Sequence, residues 1–155
     1  MTSGRWIVLA ILGITAVFGA AQWYFQTRAY YAPVALQTLD ITFADGTLET
    51  LRPLSAEAID ADTSPLRFRA CLTIAPDVAA RLVAGAAPVA EAVPLIAPDW
   101  FGCFDAEVIG ADLESGAAQA ILAQTEVRPG ADRVIAVYPD GRAYVWHQWN
   151  GRLEG

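Results

Sequence analysis

The chain has no lysine, one histidine, one methionine and two cysteines in 155 residues. Each scarcity closes a class of function. Without lysine, all side-chain cations apart from the histidine are arginines. Residues 29–155 carry eight of them against all 17 acidic residues, a net charge of −9. That balance argues against nucleic-acid binding, which needs a basic stripe, and against spreading on an anionic lipid surface. An acidic surface keeps a domain dispersed and can steer a basic partner. With one histidine, a Ser-His-Asp triad has only His147 to use. No GxSxG elbow, HExxH, GxxxxGK[ST] phosphate loop or post-strand GxGxxG is present. The two cysteines, Cys71 and Cys103, stand 32 apart, which is neither a CxxC redox motif nor a local metal-binding pair.

Long apolar runs are also scarce: there is one. Residues 6–25 contain only Thr15 and Gln22 as polar members, and no charge appears from residue 6 to residue 27. Twenty helical residues span about 30 Å, the thickness of a bilayer's hydrocarbon core. Arg5 and Arg28 bracket the run. Trp6 marks one end, and Trp23 and Tyr24, with Tyr30 and Tyr31 beyond them, mark the other, as interfacial belts do. Residues 1–28 are therefore expected to be a transmembrane anchor that contacts the bilayer through residues 6–25. A cleaved signal sequence is the rival, because residues 1–5 are basic and Gly19, Ala20 and Ala21 are small. Arg5 and the amino terminus favour an N-terminus inside, with residues 29–155 translocated.

Those 127 residues suffice for one domain with one modest core. Thirty alanines inflate the apolar fraction, and no second run reaches membrane-spanning length. Alternation at Leu39, Ile41 and Phe43 predicts a strand within residues 34–43. Asp45-Gly46 predicts a tight turn, with residues 47–51 as the return. Residues 53–65 read as a mostly irregular connection. In residues 66–74, "LRFRACLTI", Leu66, Phe68, Ala70, Leu72 and Ile74 point one way, and Arg67, Arg69, Cys71 and Thr73 the other. Pro76 and Asp77 suit a helix start and Gly85 its stop. The Ala-, Val- and Pro-rich residues 84–98 read as a loop. Residues 105–114 and 117–124 read as short helices. Residues 134–138 and 143–149 read as strands joined by a turn at Pro139-Asp140-Gly141. The expected fold class is α+β: an N-terminal transmembrane helix, then an antiparallel sheet with two or three short helices.

Three segments, "SPLRFRAC" (64–71), "APDWFGCFDAEVIGADLESG" (97–116) and "DRVIAVYPDGRAYVWHQWN" (132–150), together with the N-terminal helix, resemble an uncharacterised family of short, membrane-anchored proteins of alphaproteobacteria. The resemblance implies a membrane setting. It implies no catalytic residue.

Candidate site residues are few. In an oxidising compartment Cys71 and Cys103 are expected to form a structural disulfide, worth about 3–4 kcal/mol on the chain-entropy model. Alternatively they are two buried thiols, or they join His147 as a Cys₂His set for a soft metal such as copper. His147 also reads as a sheet residue between Trp146 and Trp149. Asp99, Asp105 and Glu107 beside Trp100, Phe101 and Phe104 suit acid–base work or sugar binding. More simply, Asp105 caps a helix and the aromatics fill a core. Arg67 and Arg69 could hold an anion or pair with the excess carboxylates. Taken together, no cofactor and no catalytic set is expected. The sequence points to a single-pass bacterial inner-membrane protein with a periplasmic, non-enzymatic domain, an accessory or assembly factor for a membrane complex. The alternatives are a tethered thiol-redox or copper handler using Cys71, Cys103 and His147, a hydrolase at residues 100–107, a cytoplasm-facing scaffold, or a domain secreted after signal cleavage.

Overall fold

The computed structural model describes residues 2–152. It divides into two units, residues 1–31 and 32–155. The first is helix α1, Thr2–Thr27, whose large apolar side chains from Trp6 to Phe25 are exposed. Residues Ser3–Thr27 have a mean hydropathy of 1.8 and the length to cross a membrane, properties shared by an anchor and a signal sequence. Thr15 and Thr27 return their hydroxyls to the carbonyls of Ile11 and Trp23, at 2.8 and 2.7 Å, so neither leaves a bare donor on the apolar surface. Past the helix end, the Arg28 guanidinium lies 5.8 Å from the Trp23 ring centre.

The second unit is built on a six-stranded antiparallel sheet in the order β1 (Ala32–Pro33), β4 (Ser55–Asp60), β5 (Arg69–Thr73), β8 (Arg142–Trp149), β7 (Ala131–Val137) and β6 (Gln119–Arg128). A separate hairpin, β2 (Leu39–Thr42) and β3 (Leu48–Leu51), turns at Asp45-Gly46, where Asp45 accepts from the Thr47 amide and hydroxyl. The hairpin and helix α2 (Pro76–Gly85) close one face of the sheet. Leu39, Ile41, Leu51, Ala79 and Leu82 meet the sheet's Ala70, Leu72, Ile135, Val137 and Val145 in a core from which water is excluded. Helix α3 (Ala106–Ser115) and the irregular residues 90–105 belong to the other face. There Phe101, Phe104 and Ile109 are buried, and Phe104 packs against β8.

Period-two alternation decides which residue meets which face. Opposite partners Cys71 and Tyr144, Arg69 and Trp146, and Val134 and Trp146 share the α3 face. Ala70 and Val145, and Arg133 and His147, share the other. The outer edge of β6 is covered by residues 86–89: the Leu122 amide donates to Ala87 O at 2.8 Å and the Val89 amide to Ala120 O at 3.0 Å. The same segment reaches β2 through the Ala87 amide and Thr42 O, 2.9 Å. An edge that would otherwise template foreign pairing is thereby closed.

One expectation is corrected. Residues 117–124 are not a helix. Gly116 ends α3 in the left-handed region at φ 80°, and the chain continues as β6, where Ile121 and Ala123 alternate into the core. Pairing with β7 overrides the helix preference of Ala and Gln. Within residues 53–65, read as mostly irregular, the sequence reading misses a strand: 55–60 form β4 between β1 and β5.

Gly141 shows the tightest backbone requirement. Its φ is 93°, its carbonyl accepts from the Ile74 amide at 2.8 Å, and a Cβ there would lie 2.1 Å from Ile74 O. Gly141→Ala should destabilise the domain by about 2 kcal/mol or more, from strain plus a displaced strand end. Urea unfolding of the full chain checks this; an unchanged midpoint contradicts it.

Candidate functional site

Cys71, Cys103, Arg69 and Asp105 gather on the α3 face, while His147 lies on the other, as strand alternation requires. Cys71 of β5 meets Cys103, which lies just before α3, in a disulfide with Cα atoms 6.3 Å apart. Cys71 is half-buried and Cys103 exposed. Two residues back on the same face stands Arg69, 3% exposed. Its guanidinium donates to four backbone carbonyls. Its Nε donates to Leu95 O (2.8 Å), Nη1 to Leu66 O (2.7 Å) and Phe68 O (2.6 Å), and Nη2 to Ile96 O (3.2 Å). The guanidinium carbon also lies 5.8 Å from the Phe104 ring centre. A planar fork of donors suits several carbonyls at once, as a lysine ammonium does not.

Gln148 of β8 makes the third tie. Its Oε1 accepts from the Val93 amide (3.0 Å) and from Trp146 Nε1 (3.1 Å), and its Nε2 donates to Glu91 O (2.9 Å). The segment 90–104 is thus held to the sheet at 91–93 by Gln148, at 95–96 by Arg69 and at 103 by Cys71. Phe104 fills the space between, edge-on to Tyr144 (6.0 Å) and Trp146 (6.5 Å). Gln148 carries no sequence signal beyond its alternation with Trp146, and sequence reading misses it.

Asp105 is the N-cap of α3, accepting from the amides of Glu107 (3.0 Å) and Val108 (3.1 Å). Its carboxylate is thereby engaged at the helix start. Phe101 and Phe104 are buried, while Trp100, Asp99 and Glu107 are at or near the surface. The Tyr138 hydroxyl donates to Asp112 at 2.7 Å, and burial followed by that bond holds its phenol well above the ordinary tyrosine value.

His147 lies on the opposite sheet face from Cys71, since it shares the phase of Val145 and not of Tyr144. A Cys₂His set would need both faces at one point. Both ring nitrogens are engaged: Nδ1 donates to Pro65 O at 2.8 Å, which leaves Nε2 to accept from Arg133 Nε at 3.0 Å. The imidazole stacks on the Phe68 ring at 4.7 Å, and the Arg133 guanidinium lies over that Phe68 ring at 4.6 Å. Among the described residues no three His, Cys, Asp or Glu side chains stand together as a metal would need. Sequence reading also misses Arg133, and Arg128, which bonds Asp60 at 2.9 Å.

At the apolar helix, Arg5 and Trp6 stand in the first turns of α1, Trp23 and Tyr24 in the last, and Arg28 just past its end.

Burial, chiefly, pushes the His147 pKa down from 6.5 to about 4, and the nearby Arg133 opposes a second positive charge. A base whose pKa is lowered on folding stays neutral in the fold while the unfolded chain takes up a proton. Its contribution is therefore complete above about pH 6.5 and is lost progressively as pH falls towards 4, to the extent of about 2–3 kcal/mol. Because His147 is the only histidine, its ring resonances give the titration directly by NMR. A midpoint near 4 is expected; one near 6.5 contradicts the buried, bonded ring.

No curated protein and no solved structure matches the chain. A family model does, over residues 38–154, which takes in strands β2 to β8, α2 and α3 and leaves out only β1 among the strands. The chain belongs to the family of unknown function DUF6446.

Proposed function

We propose that the chain is a single-pass bacterial inner-membrane protein, anchored uncleaved by α1, whose periplasmic domain works without catalysis as an accessory or assembly factor for a membrane complex. The observation that supports this most is the fastening of residues 90–104. The residues that chemistry would recruit are engaged in holding structure: Cys71 and Cys103 in a disulfide, Arg69 on four carbonyls, Asp105 as a cap. What such an arrangement displays is a fixed surface. A disulfide closing this loop suits an oxidising compartment, which agrees with translocation of the domain.

A second reading has one observation in its favour. Cys103 is exposed, and the disulfide borders an open pocket of about 340 Å³ with Glu57, Arg142 and Tyr144. Thiol exchange needs such access. The copper version also needs His147, which faces away.

Thiol labelling in intact cells, before and after reduction and with the mass recorded, tests the proposal. Labelling of Cys71 and Cys103 only after reduction, at full-length mass, is expected. Labelling without reduction, and only in permeabilised cells, overturns the periplasmic placement. Loss of residues 1–21 overturns the anchor. Labelling after a mild reductant that leaves other disulfides intact favours the thiol reading. Gently solubilised, crosslinked protein that runs only as a monomer contradicts the accessory role.

A further inference from the structure

Residues 82–127 contain seven acidic residues and no basic one. In the fold this stretch supplies residues 90–104, α3 and most of β6, and two of its carboxylates, Glu107 and Glu114, border a groove. A groove of about 840 Å³ runs between residues 89–94 and α3. One wall carries Val89, Val93 and Pro94. The other is a face of α3 bearing Ala106, Gly110 and Leu113, one helical turn apart, with Glu107 and Glu114 beside them. Its described lining contains no cation. Val93 is more than half exposed.

Gly110 is a second, independent observation. It sits mid-helix, where glycine is a poor helix former. A Cβ placed on it meets nothing within 4 Å. Packing inside the domain therefore gives no reason for a glycine. A backbone laid open in the middle of a groove wall gives one, because it lets another chain approach closely.

We infer that this groove is the docking site for a basic segment of a protein partner, one presenting small or apolar side chains to Ala106, Gly110 and Val93 and arginine or lysine to Glu107 and Glu114. The inference rests on the accessory-factor reading and names the chemistry of its partner. Charge decides the class of occupant. An anionic lipid surface or a nucleic acid would be repelled by a one-signed acidic rim, whereas a cationic segment is steered to it and then held by apolar contact. The three ties beneath residues 90–104 hold the groove's first wall in place before binding, which lowers the ordering cost of association.

In-cell photocrosslinking of the full chain tests this, with a benzophenone amino acid at Val93 and, as the control, at Leu48, an exposed residue of β3. The Val93 adduct should form with one protein and sequence to a segment rich in arginine or lysine. It should fall at least tenfold in Gly110→Leu, which fills the groove, and in Glu107→Lys/Glu114→Lys, which reverses its rim. Gly110→Leu should keep or raise the melting temperature, since leucine favours the helix, so loss of the adduct cannot be ascribed to unfolding. An adduct insensitive to both variants, an acidic crosslinked segment, or a second copy of this chain overturns the groove assignment. Adducts from Leu48 alone overturn the groove and leave the accessory role standing. Adducts from neither position overturn both.

Discussion

A buried guanidinium governs the α3 face of this domain. Arg69 lies 3% exposed and gathers four carbonyls: two from the approach to its own strand, two from a loop 26 and 27 residues further along. Burying that charge is expensive unless its donors are satisfied, and here carbonyl oxygens satisfy them. In return the loop backbone, which has little regular pairing of its own, finds donors it would otherwise seek from water. The disulfide two residues on and Gln148 across the sheet extend the same device along the segment.

The two faces of the sheet therefore rest on different physics. One is an apolar core of Leu, Ile, Val and Ala between the sheet, the β2–β3 hairpin and α2, held by excluded surface. The other mixes buried aromatics with an arginine, a glutamine and a covalent tie, and it carries the acidic groove on its outer side. Near one end of the apolar face, His147 and Arg133 stack on Phe68, a polar cluster closed by the Pro65 carbonyl. The division follows from one period-two alternation along β5 and β8, and it keeps Cys71 and His147 apart.

Local signals made much of this fold legible in the sequence. Asp45-Gly46 and Pro139-Asp140-Gly141 marked their turns, Pro76 began α2, and Asp105 capped α3. Alternation in "LRFRACLTI" placed Phe68, Ala70, Leu72 and Ile74 in the core. Where local preference and long-range pairing disagreed, reading failed: residues 117–124 have helical composition and a strand's partners, and β4, with Ala56, Glu57 and Ala58, has little β preference of its own. The site divided in the same way. A pair of cysteines and a capping aspartate announce themselves. The partners of Arg69 and of His147, the latter 82 positions from Pro65, depend on tertiary contacts that spacing does not encode. The run of residues 82–127 without a cation was visible in the sequence, and its meaning needed α3 and residues 89–94 side by side.

Hydrogen–deuterium exchange on the full chain, wild type against Arg69→Met, tests the central claim most directly. Methionine keeps an unbranched apolar stem and removes the donors. If Arg69 holds residues 90–104 to the sheet, the amides of Val93, Phe101 and Phe104, each hydrogen-bonded here, should exchange at least tenfold faster. Those of the β2–β3 hairpin should keep their protection. Equal protection at Val93, Phe101 and Phe104 in both proteins would contradict the account.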